Sequence, residues 1–305
     1  MMTHEESIAA GARLGRIIAE RNPCIRYTDA DVRRARYSFT EDEKKELRSI
    51  GLLGADFEQF YVIRQFLGEL DIGADTDGEY ILSLFRHAKR LDADAFEADP
   101  YLRTVKVGEA KQGRFQLRQM QYLRGELFFY DMPDFHERLV TPRLGFFSRA
   151  VSFPALYENS VPWVSVCPSE INSMTPDLRY ARGNLLVLGL GLGYYAFRAA
   201  EKAEVSSVTV VELQQTVIDL FQQHLLPQFP DGVREKIRLV RADALAYMKT
   251  VQPEQFDFCY ADIWEGAVDG APLYREIHSH EARLPGTRFA YWIEDQIKAY
   301  LDGEN

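Results

Sequence analysis

Cysteine is scarce in this chain: its three cysteines, Cys24, Cys167 and Cys259, stand far apart. So small and scattered a set has no metal-ligand spacing and builds no disulfide framework. It reads as buried thiols in a reducing compartment. Long apolar runs are also missing, and none reaches the ~18 residues that a membrane span needs. The opening stretch MMTHEESIAAGARLGR carries acids early and lacks the basic start and apolar middle of a signal peptide, so a cytoplasmic location is expected. Positive charge is in deficit too, with 36 Lys and Arg against 46 Asp and Glu and a net charge of −10. A polyanionic backbone is repelled by such a chain on average. The cluster Arg33, Arg34 and Arg36 reads as a solvated helix face, so no nucleic-acid partner is expected.

What is present is ordinary globular material. The 305 residues, 46% of them hydrophobic, leave room for two domains. The pattern divides the chain into a helical N-terminal region (1–104), a β-rich segment (105–180) and an α/β domain (181–305). In the first, residues 5–20 form a candidate helix. Thr40 and Glu43 make a capping box for a helix to residue 50, and Phe57, Phe60, Tyr61, Ile63 and Leu67 form an amphipathic stripe. Thr76 and Glu79 open a further helix expected to run to Arg90. Asp71, Asp75, Asp77 and Gly78 superficially suggest a calcium loop, but Leu84 stands where its closing glutamate is needed. In the second region the period becomes two. A hairpin is expected to turn at Arg124–Gly125, with short strands over 144–153 and 163–166. Residues 168–176 lead into the α/β domain.

The most informative stretch is 184–212, NLLVLGLGLGYYAFRAAEKAEVSSVTVVE. An apolar run enters alternating glycines Gly189, Gly191 and Gly193, a helical pattern follows, and a second β-branched run ends on Glu212. This order predicts strand, glycine turn, helix and strand, the first half of a doubly wound nucleotide-binding unit. Glycines permit close backbone approach to a ligand, and an acid at the second strand tip can accept both hydroxyls of an adenosine ribose. Further strands are expected over 237–240, 256–260 and 287–292, alternating with helices over 216–225, 272–284 and 295–301. The expected fold is therefore α/β, a doubly wound parallel sheet of about five strands, with no sequence left for a sixth and seventh.

In such sheets ligands bind beyond the carboxyl ends of the strands. Those ends here present glycines, Glu212, Asp243 and Asp262 along one edge. Asp243 suits an adenine exocyclic amine, with Ala244 beside the ring, and Asp262 then points at the reacting end. The bland alternatives are an empty buried turn for the glycines and mere helix caps for Asp243 and Asp262. A nicotinamide enzyme is the first rival, because Gly191, Gly193 and Ala196 satisfy G-x-G-x-x-A and Glu212 lies near the ~20-residue spacing. Against it, the strand ends before Gly189, and a dinucleotide gives no reason for acids after both the third and fourth strands. His278 and His280 diverge on a helix, so no metal site is expected.

On these motifs (VLGLGLG, VTVVEL, RLVRADALAYM and FDFCYADIWEG), residues 184–301 resemble the class I S-adenosylmethionine-dependent methyltransferase fold, and most of all its spermidine synthase-like branch. The resemblance implies S-adenosylmethionine as cofactor. It places Gly189, Gly191 and Gly193 at the methionine part, Glu212 at the ribose and Asp243 at the adenine; Tyr194 and Ala244, their neighbours in sequence, complete the expected cofactor-binding set. Asp262 falls where aminopropyl-transferring members keep a catalytic aspartate, and Glu265 where they keep an acid for the polyamine amine. Glu170 matches the glutamate of their tyrosine–glutamine–glutamate stretch. Two positions depart from the pattern. That stretch reads Pro168, Ser169, Glu170 here, and the aspartate those enzymes carry inside the glycine turn is Leu192. Losing that counter-charge costs an ammonium about 2–3 kcal/mol.

The function expected from the sequence is thus methyl transfer to a small, cationic amine substrate. Aminopropyl transfer or a non-catalytic nucleotide-binding scaffold are the alternatives. Such a displacement asks the protein mainly to align the nucleophile and exclude water. Asp262 serves as base, Asp262, Glu265 and Asp269 as a negative mouth, and Trp264 and Tyr194 as aromatic wall. A small-molecule substrate is the expected partner, with no membrane and with a homodimer left open.

Overall fold

The computed structural model describes residues 4–49, 53–54, 56–67, 81, 83–85, 87–136 and 139–303. The suspected calcium loop and the Thr76–Glu79 helix start lie outside these residues. The chain divides into two compact units: one comprises Met1–Glu97 and Gln121–Ser152, the other Ala98–Met120 and Phe153–Asn305. Boundaries drawn from the sequence at 104/105 and 180/181 both fall within the second unit.

In the first unit, helices His4–Arg21, Asp29–Ser38, Glu41–Ser49 and Phe57–Leu67 precede a three-stranded sheet. The Thr40 hydroxyl accepts from Glu43 N at 3.2 Å while the Glu43 carboxylate accepts from Thr40 N at 2.7 Å, which is the expected capping box. Strand β1 (Lys89–Leu91) pairs in parallel with a later strand, so the helix expected to reach Arg90 stops short of it. Leu14, Phe66, Ile81, Phe85 and Phe146 form the buried core.

The second unit contains strands β2 (Ala110–Gln112) and β3 (Phe115–Tyr122, whose last two residues belong to the first unit). Strands β4 (Phe128–His136) and β5 (Leu139–Phe147) return to the first unit, and β6 (Val151–Glu158) and β7 (Val161–Ser165) complete the four-stranded sheet β2-β3-β6-β7. The hairpin expected at Arg124–Gly125 does not form, because β3 and β4 belong to different sheets. The turn itself exists, but local anchors redirect it. Glu126 accepts from Leu123 N, the Gly125 N–H is taken by Phe147 O, and the Asn22 side chain both accepts from Leu127 N and donates to Leu127 O. Burying Leu127 in the helical core fixes that exit direction. The single strand expected over 144–153 is interrupted after Phe147, and the expected lead-in after Pro168 is a helix, Pro168–Leu178, with Pro168 in its first turn.

The rest is the doubly wound sheet. Strands β8 (Gly183–Leu188), β9 (Val205–Glu212), β10 (Ile237–Arg241), β11 (Phe258–Ala261) and β12 (Arg288–Tyr291) are all parallel, in the order β10-β9-β8-β11-β12. Leu185–Leu188 and all of β11 are buried, which is why these runs are continuously apolar: helices cover both faces. The order reverses between β8 and β11, the first and fourth strands, and that switch point positions the site. Among the described residues, no helix is long and apolar enough to cross a membrane.

Candidate functional site

A cleft of about 740 Å³ opens at the carboxyl ends of these strands. Its lining brings together Gly189, Gly191, Tyr194, Glu212, Asp243, Ala244, Glu170, Asp262, Trp264 and Glu265, which lie up to 95 positions apart in sequence. Gly193 lies behind the turn. Its φ is +75°, and a Cβ there would drive into the Phe221 ring. Gly189, at φ +99°, would drive a Cβ into the Asp262 carbonyl oxygen. Both are therefore glycine for packing and backbone conformation. Gly191 meets only the Val164 methyls, the nearest at 3.5 Å, so that part of the turn faces the cleft.

The acids are held by different means. Glu212 is buried, and its carboxylate accepts from Leu190 N at 3.2 Å and Gln214 N at 2.7 Å, tying the tip of β9 to the glycine turn. Burial raises its pKa, against the lowering by those backbone N–H groups. Asp243 caps the helix Ala244–Thr250 through Ala246 N at 2.8 Å and remains exposed beside the cleft. Asp269 accepts from Glu265 N and Gly266 N at 2.8 and 2.9 Å, which shapes the loop and leaves the Glu265 side chain exposed.

Asp262 and Glu170 both line the cleft. Asp262 borders the cleft but is otherwise enclosed by protein; burial first, then the charge of Glu170, pushes its pKa up to about 8. Burial alone pushes Glu170 up to about 7. Such values suit groups that exchange protons near neutrality.

The aromatic wall is more tightly packed than a free cage. The Tyr194 hydroxyl donates to Asp99 at 3.1 Å, and the Trp264 indole donates to Trp292 O at 3.2 Å. A β-rich piece upstream of such a domain often forms one wall of its cleft, but the sequence named none of the residues of the opposite wall, where the β6–β7 hairpin contributes Glu158, Val161, Trp163 and Val164, with Arg114 from the turn before β3. Its left-handed tip, Asn159–Ser160, was the available signal. Tyr195 is buried and also borders the cleft. Among the described residues, no group of three or more His, Cys, Asp or Glu is placed to hold a metal ion.

Sheet order, glycine turn and the row of strand-tip acids define a doubly wound, Rossmann-like α/β domain, and its likeness is to the spermidine synthase-like branch of the methyltransferase-like folds. In sequence the chain is similar to a polyamine aminopropyltransferase from Ruegeria sp. (strain TM1040), 27% identical over 167 residues. That match covers 53% of this chain and 58% of the relative, so the chain spans under two thirds of that protein's length. Among solved structures, spermidine synthase from Thermotoga maritima aligns with TM-score 0.34 and 13% identity, covering 49% of this chain and 57% of that one. A spermidine synthase in complex with the transition-state analogue AdoDATO aligns with TM-score 0.30 and 15% identity over 38% and 43% of the two chains. No family model matches the chain.

Proposed function

We propose that this chain is a spermidine synthase-like transferase that moves an aminopropyl group from decarboxylated S-adenosylmethionine to a small amine. This reverses the order of preference drawn from the sequence, where methyl transfer stood first. The observation that carries the reading is the charge of the cleft. Seven Asp and Glu side chains line it, five of them outside the Asp262–Glu170 pair whose protons are held near neutrality, against one basic side chain among the described lining residues, Arg114. That guanidinium is already paired with Glu158 at 2.6 Å. A ligand carrying a carboxylate would meet no free cation there, whereas a doubly cationic nucleoside and an ammonium acceptor suit an acidic cleft. The named activity of the Ruegeria relative supports the same choice.

The residues fit the donor. In this reading Gly191 leaves backbone open to the donor, Glu212 takes the ribose, and Asp243 with Ala244 takes the adenine; the cleft lining that they share supports it. When bound, the donor's sulfonium supplies an already activated carbon. Asp262 takes the proton from the attacking nitrogen, Glu170 balances the acceptor's charge, and the β6–β7 wall limits water. One observation favours methyl transfer: Leu192, buried in the turn, offers no counter-charge to the donor's ammonium. Incubation with putrescine and each donor separates the readings. Methylthioadenosine from the decarboxylated donor supports aminopropyl transfer; S-adenosylhomocysteine from the intact donor, with no methylthioadenosine from the other, overturns it.

A further inference from the structure

Limiting water does not call for an exposed tryptophan, yet the β6–β7 wall presents one. Among the described residues six large apolar side chains are exposed, and three of them, Val161, Trp163 and Leu213, line this cleft. Leu213 follows Glu212 at the tip of β9 and belongs to the proposed nucleoside side. Val161 and Trp163 stand on β7, and a bulge lies between that strand and β6. Tyr157 faces Pro162 and Leu156 faces Val164, so Trp163 is the extra residue. Bulges cluster beside active sites, where they redirect a side chain. Here the consecutive Trp163 and Val164 both reach the cleft.

The wall behind Trp163 is packed and carries no free charge. Its indole leans on the buried Phe115 ring, with centroids 5.5 Å apart. The Arg114 guanidinium lies over that same ring at 5.1 Å and is paired with Glu158 at 2.6 Å. Glu158 is the one acid that the β2-β3-β6-β7 sheet gives to the described lining. A second ammonium reaching this wall would find its counter-charge already taken and would exchange water for indole and valine. Attraction to one exposed indole face does not replace a carboxylate. An apolar group gains from the same move, and a flat ring most of all.

Position joins this wall to the acceptor rather than the donor. The β2 edge of the sheet is tied to the β9 side, where the Gln112 side chain donates to Asp219 at 2.9 Å. The opposite edge is β7, which leads straight into the helix that carries Glu170. The nearer Val164 methyl stands 3.5 Å from where a Gly191 Cβ would lie, so the wall adjoins the glycine turn.

Resting on the aminopropyl-transfer reading, we propose that the acceptor is a monoamine with an aromatic tail, whose ring packs on Trp163 while its nitrogen faces Asp262. The step balances. Asp262 takes one proton from the ammonium, and the freed lone pair forms the new C–N bond. The C–S bond breaks with its electron pair left on sulfur as a neutral thioether, and the product leaves as a secondary ammonium.

Phenethylamine and putrescine, each with decarboxylated S-adenosylmethionine, are the probes, and methylthioadenosine release is the readout. The protein is expected to favour phenethylamine at least tenfold in kcat/KM. Trp163→Ala should lower that preference tenfold or more, through KM, while the Kd for methylthioadenosine moves less than twofold; Trp163→Phe should retain most of it. Trp163→Asp supplies the missing counter-charge and should turn the preference toward putrescine, a gain that a misfolded variant does not show. Equal use of both amines, or a preference for putrescine, in the unsubstituted protein overturns the aromatic subsite and leaves the transfer standing. A methylthioadenosine Kd weakened tenfold in Trp163→Ala, with the amine preference intact, puts the indole against the donor and overturns the subsite too. Calorimetric binding of phenethylamine that Trp163→Ala abolishes, with no methylthioadenosine from either amine, sinks the transfer and leaves the subsite standing.

Discussion

Replacing Asp262 by asparagine should stabilise the ligand-free protein, and the gain should grow with pH. The folded carboxyl titrates at about 8 against 3.8 for the ordinary group. Below pH ~4 both folded and unfolded chains hold the proton, and no penalty exists. Between ~4 and ~8 the unfolded chain releases a proton that the folded chain keeps, so stability falls as pH rises. Above the folded pKa the loss is constant. Each unit of displacement corresponds to about 1.4 kcal/mol, so from pH 5 to 8 the penalty grows by about 4 kcal/mol at face value. Solvent in the cleft screens part of this, and about half, ~2 kcal/mol, is the working figure. The asparagine side chain carries no such charge, while the backbone bond from position 262 N to Leu188 O at 2.9 Å is unaffected. The melting-temperature advantage of Asp262→Asn should therefore be about 4–8 °C larger at pH 8 than at pH 5. Thermal unfolding of both proteins across that range is the assay. Parallel curves, or an advantage that shrinks with pH, refute the desolvation argument. The same carboxyl is the proposed base, so stability gained this way is activity lost.

Further outcomes follow from other contacts. Glu212→Ala should weaken methylthioadenosine binding at least 100-fold by calorimetry, about 2.7 kcal/mol, because the proposed ribose acid and the brace on the glycine turn go together. Leu192→Asp should shift the preference for the decarboxylated over the intact donor by tenfold or more, measured as a ratio of Kd values; an unchanged ratio means the donor's ammonium lies elsewhere. Asn22→Ala should cost about 2 kcal/mol in chemical denaturation, since Leu127 N and O both lose their partner.

The parallel sheet was readable because its evidence is local: an apolar run, a turn needing glycine, and an acid at the strand end are all contiguous. Strand-end geometry then brings Glu212, Asp243 and Asp262 to one edge without any long-range information. The β-rich part was less readable. Alternation fixes which residues are strand but not which strands pair, and the Arg124–Gly125 turn is directed by Asn22, over a hundred residues upstream. The Trp163 wall depends on contacts between distant segments, and nothing in the local pattern marks the extra residue of a bulge. The comparison with the Ruegeria relative, in turn, favoured the transfer that the Leu192 departure had demoted.

The close approach of Gly189 to the carbonyl of Asp262, across the paired strands β8 and β11, has an evolutionary consequence. The proposed donor turn and the proposed base are riveted to the same two neighbouring backbones, so neither can drift in position without dragging the other. Selection on folding yield and selection on turnover act there on one shared contact. The exposed β6–β7 rim, Val161 to Trp163, carries no such shared contact, so substitutions there are expected to change the cleft at less structural cost.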